Sequence, residues 1–255
     1  MLLTLDVGNT SVAMGAFEGD KLKATWRMAT SISRMPDEYA ALLFPLLNQE
    51  GFKTSDITDV CICSVVPPLI ATFEHLFERY FKIKPLIVGA GTKTGVRIRM
   101  DNPREVGPDR IVHSAAAHHL YGGPLIIVDM GTATTFDTVT KDGEYTGGAI
   151  APGLNTAAEA LFGRTAMLPR VKLVRPAKAI GTNTIAAMQS GIVFGYVGLI
   201  EGMISRIQKE LPEKAKVVVT GGYSEIIAGE TNLVDVVNPD LILIGLKLVY
   251  GMNKA

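Results

Sequence analysis

Apolar and polar residues run along this chain in short stretches whose period switches repeatedly between strand-like and helix-like spacing. Residues 2–7 and 12–17 are apolar runs on either side of a Gly-Asn-Thr-Ser turn, and 21–28 follows the turn signal Glu18-Gly19-Asp20, so the opening predicts three strands. Pro36, Asp37 and Glu38 then start a helix with an acidic first turn, its apolar positions falling at Tyr39, Leu42, Leu43, Leu46 and Leu47. A strand over 60–66, a helix over 68–81 with proline near its start, and a short strand over 85–88 complete the first half.

The pattern then repeats. Residues 125–129 form an apolar run ending in Asp129-Met130-Gly131-Thr132. Strands over 134–139 and 145–150 flank a Lys141-Asp142-Gly143 turn. An offset of 123 residues, from Asp6 to Asp129, lays Gly8 on Gly131 and Asn9 on Thr132. A long helix over 184–211, a strand over 217–220 and a last helix over 239–251 follow. Self-similarity of this kind sets the architecture: a duplicated α/β fold with a cleft between the halves, where ligands usually bind.

The length of 255 residues suffices for one large domain or two compact halves. Twenty-five basic residues balance 25 acidic ones, so no net field draws the chain to nucleic acid or an anionic membrane; an anion must be held by local geometry. The only cysteines, Cys61 and Cys63, sit in an apolar run at a spacing that puts both on one face of a strand. That favours a core role and a reducing cytoplasm. The N-terminus lacks a basic region before Asp6, unlike a signal peptide. The apolar stretch 191–204 is broken by Glu201 and reads as a buried helix, not a membrane span.

Three motifs carry chemistry. In Asp6-Val7-Gly8-Asn9-Thr10-Ser11, a strand-end carboxylate can hold Mg²⁺ or its waters, Gly8 lets the backbone approach a phosphate, and the short polar residues beside exposed amides can form an anion nest. Asp129-Met130-Gly131-Thr132-Ala133-Thr134-Thr135 repeats that logic with more hydroxyls. Two such turns suit phosphoryl transfer, whose catalysis is mostly positioning and charge stabilisation. Gly107-Pro108-Asp109-Arg110 precedes a helix; its spacing fits equally an ordinary helix cap and a substrate grip in which Arg110 forks a carboxylate and Asp109 accepts a hydroxyl proton. Gly147-Gly148-Ala149-Ile150-Ala151-Pro152-Gly153 and Thr220-Gly221-Gly222 end strands where backbone can approach a ligand, and Thr182-Asn183-Thr184 reads first as a helix cap. Neither a G-x-x-x-x-G-K-[ST] loop nor a strand-borne G-x-G-x-x-G is present.

In order along the chain, D-V-G-N-T, D-N-P-R-E-V-G-P-D-R, D-M-G-T-A-T-T, G-G-A-I-A-P-G and G-T-N-T resemble the type III pantothenate kinase family of the acetate and sugar kinase, Hsp70 and actin superfamily. The resemblance implies two actin-like (ribonuclease H-like) domains around a central cleft, 1–117 and 118–255, and ATP-dependent phosphorylation of pantothenate in a cytoplasmic homodimer. By position it implies that Asp6, Val7, Gly8, Asn9, Thr10, Ser11, Val12 and Ala13 form the first phosphate loop with Asp6 on the Mg²⁺ side, and that Thr132 contacts ATP. It makes Asp109 the general base and has Gly107, Pro108, Asp109 and Arg110 grip pantothenate. Asp129 holds K⁺ or NH₄⁺ in this reading, and Thr184 reaches pantothenate across a dimer interface. Related sequences often carry Tyr where this chain has Met100, so that substrate contact is expected to be apolar and to lack a hydroxyl.

Overall fold

A computed structural model describes residues 1–254, which separate into two compact units: 1–95, 102–116 and 242–254 make one, 96–101 and 117–241 the other. The final helix, last in sequence, thus belongs to the first unit.

The first unit is built on a five-stranded sheet. Its strands are β1 (Leu2–Val7), β2 (Ser11–Glu18), β3 (Lys21–Ala29), β4 (Asp59–Ser64) and β5 (Leu86–Ile87), in the order β3-β2-β1-β4-β5. β1, β2 and β3 pair antiparallel, whereas β1 pairs parallel with β4 in a register that sets Asp6 beside Cys63. Side chains alternate across the sheet. Leu3, Leu5 and Val7 face one side, where helices α1 (Pro36–Gln49) and α2 (Pro67–Leu76) bring Tyr39, Leu43, Leu69 and Phe73 against them. The chain of α2 continues as one π-helical turn, Phe77–Phe81, so the helix expected over 68–81 ends in a wider coil that buries Phe77 and Phe81. On the other side Cys61, Cys63 and Ala13 meet Val112 of α3 (Pro108–Tyr121) and Leu246 and Val249 of α7 (Leu241–Asn253).

The second unit repeats this plan. β7 (Leu125–Met130), β8 (Ala133–Val139) and β9 (Glu144–Pro152) pair antiparallel, and β7 pairs parallel with β10 (Lys216–Gly221). The short strands β6 (Arg97–Ile98) and β11 (Val236–Val237) extend the edges, giving β11-β10-β7-β8-β9-β6. The 123-residue offset carries Leu2–Val7 onto Leu125–Met130 and Lys21–Ala29 onto Glu144–Pro152, end for end. Helices α4 (Leu154–Arg164), α5 (Thr184–Glu210) and the short α6 (Ser224–Ala228) follow. α5 is long and apolar enough, by length and composition, to cross a membrane, yet Met188, Ile192, Tyr196, Val197, Ile200 and Ile204 along it pack on Ile126, Val128, Val217 and Val219 as core. Asn183 starts α5 by accepting the Ala186 N–H on Oδ1 at 2.9 Å, so the capping expected of the Thr182-Asn183-Thr184 hydroxyls is done by the Asn183 side-chain amide.

Within the first unit, α7 is held by the Tyr250 hydroxyl and Lys254 on Asp59 and by Lys247 on Asp20. It approaches α3 so closely at Gly245 that a Cβ there would lie 2.5 Å from the Val112 carbonyl oxygen. Because backbone cannot yield as a flexible side chain does, Gly245→Ala is expected to lower stability by about 1–3 kcal/mol, read as a reduced urea midpoint with an unchanged m-value.

Candidate active site

In the first unit, the strand ladder delivers Asp6 to the C-terminal end of β1, half-buried, on the face that also carries Cys63. The turn after it is closed from several sides. The Gly8 N–H donates to the Ser11 carbonyl at 3.1 Å, and a Cβ on Gly8 would sit 3.1 Å from that same oxygen. At the end of β3, the Thr30 N–H donates to the Thr10 carbonyl at 3.1 Å and the Thr30 hydroxyl to the Gly8 carbonyl at 2.7 Å. Asn9 and Thr10 lie exposed at the tip, while Val7, Val12 and Ala13 are buried. Of residues 6–13, those three therefore contribute backbone and packing, and the polar tip is exposed.

Gly107 and Pro108 lead into α3, which places Asp109 in its first turn. The Asp109 carboxylate lies over the Gly107 Cα, where an added Cβ would come within 2.4 Å of Oδ1, so only glycine leaves room for that rotamer. Burial pushes the Cys63 thiol well above its ordinary range, and the nearby carboxylates of Asp6 and Asp109 raise it further by disfavouring a third negative charge. One buried thiol thus feels two of the three aspartates that the sequence motifs single out, although these two are far apart along the chain. Cys61 is likewise pushed up by burial, to about 12.

In the second unit, Asp129 occupies the matching strand-end position, beside Thr220 on β10 and Thr135 on β8. Its turn is closed by the Gly131 N–H on the Ala133 carbonyl at 3.0 Å. The Thr132 carbonyl takes the Gly153 N–H at 3.1 Å and the Thr156 hydroxyl at 2.7 Å. A Cβ on Gly153 would lie 2.3 Å from the Gly131 oxygen, so the glycine-rich motif ending at Gly153 packs directly under the Asp129 turn. Gly221 does the same from β10: its φ is +93°, and a Cβ would meet the Met130 backbone at 2.7 Å. The Tyr196 hydroxyl of α5 bonds Thr134 and donates to the Pro152 carbonyl at 2.6 Å, tying that helix to the same turn. Met100 lies over Gly147, whose φ of +108° and 3.0 Å clearance to the Met100 sulfur again favour glycine. Thr184, exposed at the start of α5, lines a cavity of about 530 Å³ with Leu161, Leu168, Thr182 and Met188.

Sequence reasoning missed Thr30, Thr156 and Tyr196, which carry no motif; only their places just after a third strand or on a buried helix face could have signalled them. It also gave no sign that Cys63 comes within electrostatic range of both Asp6 and Asp109. Among the described residues no group of three or more His, Cys, Asp or Glu side chains could hold a metal ion by itself. A single strand-end carboxylate beside a tight glycine turn does suit Mg²⁺, which is commonly bound by one or two carboxylates together with substrate phosphates.

This pairing of two like α/β units recurs in solved structures. Component A of (R)-2-hydroxyglutaryl-CoA dehydratase from Acidaminococcus fermentans shares the fold at TM-score 0.56 and 14% identity, over 99% of each chain. The fold class is a duplicated, actin-like α/β fold. Within it, residues 2–206 match the family model described as type III pantothenate kinase. The type III pantothenate kinase of Dehalococcoides mccartyi (strain CBDB1) is 56% identical over 99% of this chain and 96% of its own. That of Geobacillus kaustophilus (strain HTA426) is 52% identical over 99% and 98%. The chain belongs to the type III pantothenate kinase family, and its activity is the ATP-dependent phosphorylation of pantothenate in coenzyme A biosynthesis.

Thiols held protonated and fully buried do not react readily. The native protein is therefore expected to leave Cys61 and Cys63 unmodified by a disulfide reagent at pH 8, and to expose two reactive thiols on unfolding in guanidinium. A stoichiometric colour assay in each state checks this.

Proposed function

We propose that Asp109 is the general base that accepts the proton of pantothenate's terminal hydroxyl as its oxygen bonds the γ-phosphorus of ATP and the bond to the departing ADP breaks. The observation that carries this reading is the placement of the Asp109 carboxylate over Gly107, half-buried, in the same thiol-centred neighbourhood as Asp6. Gly107, Pro108 and Arg110 grip the substrate, with Arg110 forking its carboxylate. The exposed tip of the Asp6 turn receives the phosphates with Mg²⁺ on the Asp6 side, and bound Mg²⁺ would offset phosphate charge there. Asp109→Asn keeps the shape and removes the base; kcat should fall about 10²- to 10⁴-fold with ATP affinity retained. Pantothenate-dependent ADP release and nucleotide titration measure the two, and full turnover in this variant would refute the assignment.

Asp129 holds the monovalent cation, K⁺ or NH₄⁺, while Thr132 meets ATP. Supporting this, Thr132 is exposed in the turn that follows Asp129, and its carbonyl is fixed by the Gly153 N–H and the Thr156 hydroxyl. Activity should rise on adding K⁺ or NH₄⁺ to protein dialysed into a bulky organic cation, and Asp129→Asn should abolish that response. A rate indifferent to the cation would count against it.

The protein acts as a homodimer in the cytoplasm, with Thr184 reaching pantothenate at the subunit interface and Met100 supplying an apolar contact in the substrate pocket. Exposed Met167, Ile180 and Ile185, and the small side of α5 where Gly191, Gly195 and Gly198 have open space above them, favour cover by a second copy.

A further inference from the structure

A phosphate-binding turn works only if its amides are aimed before the ligand arrives, since an anion nest is made of backbone N–H groups that converge on one point. In the first unit the aiming is done from outside the turn. The Thr30 hydroxyl donates to the Gly8 carbonyl at 2.7 Å. A trans peptide is planar with its C=O and N–H opposed, so fixing the Gly8 carbonyl toward Thr30 also directs the Asn9 N–H of that peptide to the opposite side. The Thr30 N–H meanwhile holds the Thr10 carbonyl at 3.1 Å. One residue therefore grips the turn at two points, on either side of Asn9.

Thr30 is itself held rigidly. On one side, the Ala29 carbonyl accepts the Arg34 guanidinium at 2.8 Å. On the other, the fully buried Tyr39 hydroxyl accepts the Ser31 N–H and donates to the Ser31 carbonyl, both at 3.0 Å. The buried face of α1 is thereby connected, through Ser31 and Thr30, to the polar tip that follows Asp6. The second unit uses a like device, with Gly153 after the third strand donating its N–H to Thr132 and a separate residue, Thr156, supplying the hydroxyl. In the first unit Thr30 supplies both.

We propose that Thr30 is a positioning residue for the kinase reaction, orienting the Gly8–Asn9 peptide so that the turn binds the phosphates of ATP; this rests on the reading that the Asp6 turn is the phosphate loop. Thr30→Val keeps the β-branched shape and the backbone N–H and removes only the hydroxyl; Thr30→Ser restores a hydroxyl on a smaller side chain. Both are compared with wild type and with Asp6→Asn in full-length protein by pantothenate-dependent ADP release, with melting temperature read alongside. Loss of one hydrogen bond to the turn should raise the KM for ATP in T30V by about 5- to 10-fold. The KM for pantothenate should stay within about two-fold, and T30S should recover most of the ATP affinity. If D6N weakens ATP and T30V does not, the phosphate loop stands and the role of Thr30 falls. If neither weakens ATP, the phosphate-loop reading fails and takes the proposal with it. A T30V protein in which both Michaelis constants rise together with a lowered melting temperature shows a role in folding alone and also overturns the proposal.

Discussion

The parallel pairing of a unit's first strand with the strand that follows its first helical segment is the constraint on which the rest of each unit depends. In the first unit that ladder sets Asp6 beside Cys63, and in the second Asp129 beside Thr220. A parallel pair needs a long crossover, and the crossover helices cover one face of the sheet with apolar side chains. Alternation then obliges the last polar residue of the strand to emerge on the other face, at the strand's C-terminal end, where open α/β sheets hold their ligands. Leu3, Leu5 and Val7 are committed to the core by this geometry, and Asp6 to the opposite face near the strand's C-terminal end.

Once Asp6 is there, its surroundings follow from packing. The face it shares with Cys63 is covered by α3 and α7, and the start of α3 brings Asp109 within electrostatic range of the same thiol. Both carboxylates are half-buried at the margin of this apolar face. In the proposed reading this is where the chemistry of a kinase falls, in which charge on transferring phosphoryl oxygens must be offset and a hydroxyl deprotonated.

The two turns have diverged within one plan. Each is closed by the residue following the third strand, but Thr30 combines a backbone and a side-chain donor, whereas Gly153 donates only its N–H and must be glycine to fit beneath Gly131. The second turn is further tied to a long helix through Tyr196, and the first to α1 through Tyr39. Local motif and tertiary support therefore differ where the repeat makes the strands alike.

Much of this was legible in the chain. The three-strand openings, the 123-residue repeat, the Asp-x-Gly turns and the cap at Asn183 are local: periodicity, glycine freedom and side-chain capping operate over a few residues, so the sequence alone determines them. The glycine motifs could be noticed but not explained, since the need for glycine at 153 and 221 comes from backbone atoms that fold against them. The closure of the first turn by Thr30, the convergence of Asp6 and Asp109 on Cys63, and the return of the last helix to the first unit join residues far apart in sequence. No local pattern encodes such contacts. They exist because buried faces must be covered and buried carbonyls must find donors, and only the tertiary structure decides which segments meet those needs.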